Sequence, residues 1–172
     1  MNEKLKVDFV WKKVPKKVES EVIDFWISTA AITSREKATK RVKELVGTCR
    51  DENGHLVAVS THVKYFYPPL QNHFHLSRTF VKEGHRQLGV MKQIFQMVWS
   101  NFNEKQLYKE EGIVGVLAVM ENEHLNKSSK PIWDDLANGV LVGFDSRGFQ
   151  IRVGYFEGAE LSLPKRNQGA PS

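Results

Sequence analysis

Residues 78 to 91 read RTFVKEGHRQLGVM. An apolar strand ending at Val81 runs into Lys, Glu, Gly, His, Arg and Gln, and then into Gly89, which opens a long amphipathic run. A strand that feeds a loop into a helix N-terminus gathers free backbone N–H groups and the positive end of the helix dipole at one place, which suits a phosphate. Arg86 and Gln87 add side-chain donors, and Gly89 lets the backbone come close to a ligand. The same residues also make a plain strand-to-helix connection, since Arg and Gln are ordinary at helix N-termini. Just upstream, His73 and His75 lie two apart on a strand and point to one face, where an imidazole can exchange a proton near neutral pH. A His-x-His pair can also bind zinc, but no third ligand stands at a suggestive spacing, so no metal is expected.

The elements that would hold this loop are legible in the apolar periodicity. Residues 5–14 fit a first strand that Pro15 breaks, and Val18, Val22, Phe25 and Trp26 mark one face of a helix. A second helix begins at TSRE, where Thr33 and Glu36 have capping-box spacing. Two β-favouring runs flank Asn53-Gly54, a hairpin signal because both central residues can take positive φ. In the second run Val57, Val59, Thr61, Val63 and Tyr65 share a face, and HFHLSRTFV follows as another strand after Pro68 and Pro69.

From Gly89 onward, Val90, Met91, Ile94, Phe95, Val98, Trp99 and Phe102 recur with helical period. Residues 112–120 form a continuous apolar run that suits a central strand covered on both faces, with Glu121 at its end. A short helix is expected around SSKPIWDDLANG, with Ser128 or Ser129 as cap, Pro131 in its first turn and Gly139 past its end. VLVGFDSRGFQIRVGYF reads as two strands joined by the Asp145–Gly148 turn. Tyr108 falls between elements. The expected fold is α+β, one domain over residues 1–163, with a disordered tail over 164–172.

Composition agrees with a folded chain: of 172 residues, 41% are hydrophobic and 26% charged. No apolar stretch reaches the ~18 residues a membrane span needs, and the N-terminus lacks a signal-peptide core, so a cytoplasmic protein is expected. The single Cys49 excludes an internal disulfide and a Cys-rich zinc site, and fits a small buried hydrophobe. The net charge of +5 favours anionic partners, nucleic acid among them, while Lys12, Lys13, Lys16 and Lys17 read as a solvated edge.

Val81 followed by Arg86-Gln87-Leu88-Gly89-Val90-Met91 resembles the pyrophosphate loop of the GCN5-related N-acetyltransferase (GNAT) superfamily. The resemblance extends over roughly residues 5–163 through the order of elements, and Gly143-Phe144 looks like the family's Gly-Phe before its last hairpin. It implies a mixed, mostly antiparallel central sheet flanked by helices, and transfer of an acetyl group from acetyl-CoA to an amine. It also implies that backbone groups around Phe80 and Val81 pair with the pantetheine arm. The amides from Arg86 through Gln87, Leu88 and Gly89 to Val90 would then hold the pyrophosphate, with Asn122 or Asn126 matching the Asn that often follows the fifth strand. Two departures stand out: Met91 replaces the usual Gly or Ala, and the stretch from Pro131 to Gly139 carries Trp133 in place of a Tyr acid.

Tyr155 is then the substitute acid, and His75 or Glu121 the candidate base. The aromatic cluster Tyr65, Phe66, Tyr67 and Phe74 falls in the region that shapes the family's acceptor pocket. HLSRTFV is similar to a strand of the acyl-homoserine-lactone synthases, with His75 in place of their Glu. A fold that has lost transfer and binds an acidic or nucleic-acid partner is the alternative from a different class.

Overall fold

The computed structural model describes residues 5–86, 89–133 and 138–163. The chain order is β1 (Lys6–Phe9), α1 (Lys16–Ser28), α2 (Arg35–Arg41), β2 (Leu45–Arg50), β3 (Leu56–Tyr67), β4 (Asn72–Val81), α3 (Val90–Glu104), α4 (Leu107–Glu111), β5 (Gly115–Val119), α5 (Glu123–Asn126), β6 (Ile132–Trp133), β7 (Gly139–Phe144) and β8 (Gln150–Tyr155). The strands form one sheet in the order β1-β2-β3-β4-β5-β8-β7-β6. Every pair is antiparallel except β4 with β5, which is parallel. The fold is therefore α+β with a mixed, mostly antiparallel sheet. No described helix is long and apolar enough to cross a membrane.

Helices cover both faces of the sheet's first half because its strands are apolar on both. Val59 and Phe80 meet Val22, Phe25 and Trp26 of α1 and Ala38 of α2. Ala58 and Val81, on the alternate positions, meet Val90 and Ile94 of α3. The i, i+4 series Val90, Ile94, Val98 and Phe102 forms the buried stripe of α3, and Phe102 stacks on Phe156 beyond β8. Cys49 is fully buried, and burial pushes its thiol up to about 11.

Several local expectations change. Ser34, not Thr33, caps α2: its hydroxyl accepts from the Lys37 N–H. The β2–β3 connection is a loop over 51–55 in which Gly54 alone has positive φ, and the Asp51 carboxylate accepts from the Asn53 and His55 amides. The first strand ends at Phe9, four residues long. The apolar run from Gly112 is split: Gly112 is the left-handed cap of α4 at φ 59, and β5 starts at Gly115. Tyr108 lies inside α4, buried, and donates to the Glu157 carbonyl at 2.8 Å.

Over the described residues 128–133 the expected helix does not form; a short helix lies earlier, at Glu123–Asn126, and Ile132–Trp133 pairs with β7. The reason is that the Lys130 and Pro131 carbonyls point outward, to Arg152 and to the Leu141 N–H, and so cannot serve an i to i+4 ladder. Residues 134–137 of that stretch, and the tail 164–172, lie outside the described residues.

Candidate functional site

β4 and β5 run side by side for only a short distance. Their pairing covers His75, Leu76 and Ser77 against Val116, Leu117 and Ala118, after which β4 continues to Val81 with no strand beside it on that edge. A cleft of about 500 Å³ occupies the gap, lined by Thr79, Phe80 and Met91 on one side and by Ala118, Met120 and Asn122 on the other.

Hydrogen-bond parity fixes what the exposed edge offers. The Lys82 N–H bonds to Val57 on β3, whereas the His73 carbonyl accepts from Val114, toward β5. Peptide groups alternate along a strand, so those of Thr79 and Val81 face the cleft. Such an edge can pair with an extended ligand chain. Arg86 already reaches back to it, its Nε donating to the Val81 carbonyl at 3.3 Å.

The cleft's far end meets the start of α3. Gly89 sits at φ 68 before Val90, a left-handed conformation that costs an L-residue roughly 1–2 kcal/mol. Among the described residues beyond its chain neighbours, no atom lies within 4 Å of where a Cβ would be, so backbone conformation calls for glycine. Val90 is fully buried and Met91 turns to the cleft wall. Gln87 and Leu88 lie outside the described residues.

The expected acid and base residues are not brought together. His75 is fully enclosed on the α3 side, against Trp11, His62 and Phe102, and does not line the cleft. Burial, foremost, pushes its imidazole down to about 4; the Lys12 and Lys64 charges add to this and Glu111 opposes it. His73 is exposed and stacks on Phe66, so the His-x-His pair does not converge on a common ligand. Among the described residues no cluster of His, Cys, Asp and Glu could hold a metal ion.

Tyr155 packs on Phe74 away from the cleft, and burial raises its phenol. Glu121 does line the cleft, but its Oε1 accepts from Arg147 at 2.6 Å. Asn122 lines the cleft as well, whereas Asn126 is spent on β8: its Oδ1 accepts from the Gln150 N–H at 2.7 Å. Phe74 is core, Tyr67 is buried beside it, and Tyr65 and Phe66 are exposed elsewhere; none of the four lines the cleft.

Sequence reasoning missed four arginines that line the cleft: Arg41, Arg78, Arg147 and Arg152. Arg152 is only 3% exposed, sits 4.0 Å over the Trp133 ring, and donates to Gln150 Oε1 and to the carbonyls of Lys130, Pro131 and Gly139. Arg147 is held between Glu121 and Asp145. Arg41 and Arg78 share Glu44, at 3.3 and 4.0 Å. Arg78 was in view as the Arg of HLSRTFV, but strand parity alone does not say which face borders a cleft.

No family model matches this sequence, and no curated protein does. Solved structures do match in shape. An acetyltransferase of the GNAT family from Streptococcus pneumoniae superposes with TM-score 0.54 at 7% identity, over 90% of this chain and 100% of that one. The ribosomal-protein-S5-alanine acetyltransferase from Vibrio fischeri gives 0.56 at 10% identity, over 91% and 95%. A GNAT-family N-acetyltransferase from Escherichia coli, solved in complex with CoA, gives 0.54 at 12% identity, over 90% and 81%. With its eight-stranded sheet parted between β4 and β5 and α3 rising from the end of the gap, the chain has the fold of the GCN5-related N-acetyltransferases.

Proposed function

We propose that the chain is an N-acyltransferase that takes acetyl-CoA as cosubstrate and a primary amine as acceptor. The observation that carries this reading is the unpaired β4 edge at Thr79 and Val81 leading to the left-handed Gly89 and the start of α3. An edge of free peptide groups suits an amide-bearing arm, and a helix N-terminus suits a pyrophosphate. Bound there, acetyl-CoA would supply a thioester carbon open to attack by an amine.

The chain's own part is positioning. Phe80 and Met91 line the cleft beside the β4 edge, and the peptide groups of Thr79 and Val81 would orient an extended arm. Arg86 would exchange its bond to the Val81 carbonyl for the incoming ligand's anionic group. Glu121 is the sole carboxylate among the described cleft residues, and Arg147 occupies it. No described tyrosine faces the cleft. The amine therefore enters already neutral, and as the C–N bond forms and the C–S bond breaks, the proton leaving its nitrogen passes through water to the departing thiolate. The rate should then rise with pH along the acceptor's own ionisation and show no falling limb from an enzyme acid below pH 9.

The thermal midpoint with and without acetyl-CoA tests the reading. Ligand at ~100 times its dissociation constant should stabilise the protein by about 2.7 kcal/mol, adenosine alone should not, and Gly89→Glu should abolish the shift. Wild-type binding by Gly89→Glu would refute the assigned cradle. A shift without turnover of any amine would favour a non-catalytic binding protein on this fold, a reading that the absence of a described cleft tyrosine also supports.

A further inference from the structure

Among the arginines lining the cleft, two are spent and two are not. Arg152 gives its donors to Gln150 and three carbonyls, and Arg147 is bound by two carboxylates. Arg41 and Arg78 donate no side-chain hydrogen bond to any described residue. Their shared partner, Glu44, stands at ion-pair distance, yet its enclosed Oε2 receives no hydrogen bond from either. A guanidinium carries five N–H donors in a rigid fork, so this corner of the cleft presents two forks and one excess positive charge.

The surroundings narrow what the forks would bind. Arg41 ends α2 and Arg78 lies on β4, one residue past the last β4–β5 pair, so they stand where the two strands part. Trp26, Ile32 and Phe80 line the cleft on the same side and make it apolar between the charges. Burial lowers the pKa of Arg78 and the neighbouring Arg41 charge adds to this, while the Glu44 and Glu121 carboxylates oppose it, so an anion held between the two forks eases their mutual repulsion. One excess positive charge matches a monoanion; a dianion would leave negative charge uncompensated. A planar carboxylate accepts two parallel bonds from a guanidinium fork.

We propose that the acceptor is a short amine bearing a carboxylate, as in an amino acid or small peptide, with Arg41 and Arg78 gripping the carboxylate while the amine lies at the strand parting. This rests on the N-acyltransferase reading above. Arg41 and Arg78 are binding residues in it, and Glu44 sets how much positive charge they present.

The test compares glycylglycine with glycylglycinamide, whose amines ionise alike, and with glycyl-aminomethylphosphonate, under saturating acetyl-CoA. Glycylglycine should show a KM at least tenfold below that of the amide, as expected for losing hydrogen bonds to a charged group. Arg78→Gln and Arg41→Gln should each erase most of that preference, Arg78→Lys should keep part of it, and Glu44→Gln should lower the glycylglycine KM further. The acetyl-CoA thermal shift should stay unchanged in all four variants, which also shows that they fold. An intact shift with the amide used as well as the acid overturns the inference alone, and an intact shift with no acceptor used overturns it and also favours the non-catalytic reading. Preference for the phosphonate overturns the carboxylate assignment. Loss of the acetyl-CoA shift in the wild type overturns the acyltransferase reading and this inference together.

Discussion

Two polar clusters are buried in the sheet's neighbourhood, and they are built on opposite terms. On the α3 side, His62 is 2% exposed and His75 0%, with their Nδ1 atoms 3.2 Å apart. One ring must donate and the other accept, so one Nε2 carries a proton and the other a lone pair, and neither has a partner among the described residues. On the β8 side, Arg152 is buried as deeply but its donors all meet oxygens, and Gln150, which accepts twice from it, donates in turn to the Asn126 and Ser128 carbonyls. The contrast shows that backbone carbonyls can hold a buried cation without a carboxylate, whereas an imidazole pair lacking such carbonyls stays neutral.

The largest effect expected from breaking this comparison is Arg152→Ala. It strands the Gln150 Oε1 and the Lys130 and Gly139 carbonyls together, each costing roughly 1–3 kcal/mol when buried without a donor, and urea unfolding should show a loss of about 4 kcal/mol. A loss below 1 kcal/mol would mean that water replaces the guanidinium and the cluster is not a true core.

The histidine pair should answer to pH instead. Burial holds both imidazoles below their ordinary value, His75 to about 4, so the folded state binds fewer protons than the unfolded one. Stability is then complete above about pH 6.5 and falls as pH drops toward 4, with His75 alone contributing roughly 3 kcal/mol. Urea midpoints between pH 7.5 and 4.5 check this, and the slope should flatten in a His62→Leu, His75→Leu double variant. Trp133→Leu is the smallest change: it removes the ring under Arg152 and should cost about 1 kcal/mol by the same assay. No loss would assign the stacking no role beyond contact.

The sheet and its main helix were legible because they follow simple periods. The stripe of α3 and the alternation in β3 are set by which side chains must be buried, and Asp145 and Gly148 mark the last turn as expected. The segment after β5 was misread for a tertiary reason: Pro131 and the Ser pair look like a helix start, but Arg152, some twenty residues on, takes the carbonyls that a helix needs. The site was half legible. Local spacing exposed the Gly89 loop, yet His75 and Arg78 lie three residues apart on one strand and face opposite layers. Sequence parity separates them without saying which layer is core and which is cleft. The shared use of Glu44 by Arg41 and Arg78 joins residues far apart in the chain and leaves no local signal.

The short parallel contact between β4 and β5 also makes a seam. Among the described residues, three residue pairs and the adjoining Val114 N–H bond to the His73 carbonyl stitch the β1–β4 half to the β5–β8 half, while α3 and its Phe102–Phe156 stack clasp the halves from one side. Gly115, at the start of β5, has the Gly154 carbonyl 2.1 Å from where a Cβ would stand, so the β5–β8 pairing admits no side chain at that position. Past the seam, the β4 edge at Thr79 and Val81 borders the cleft. In hydrogen exchange the Thr79 and Val81 amides should trade with solvent far faster than their neighbours, which bond to β3, and a ligand lying along the edge should slow those two amides selectively.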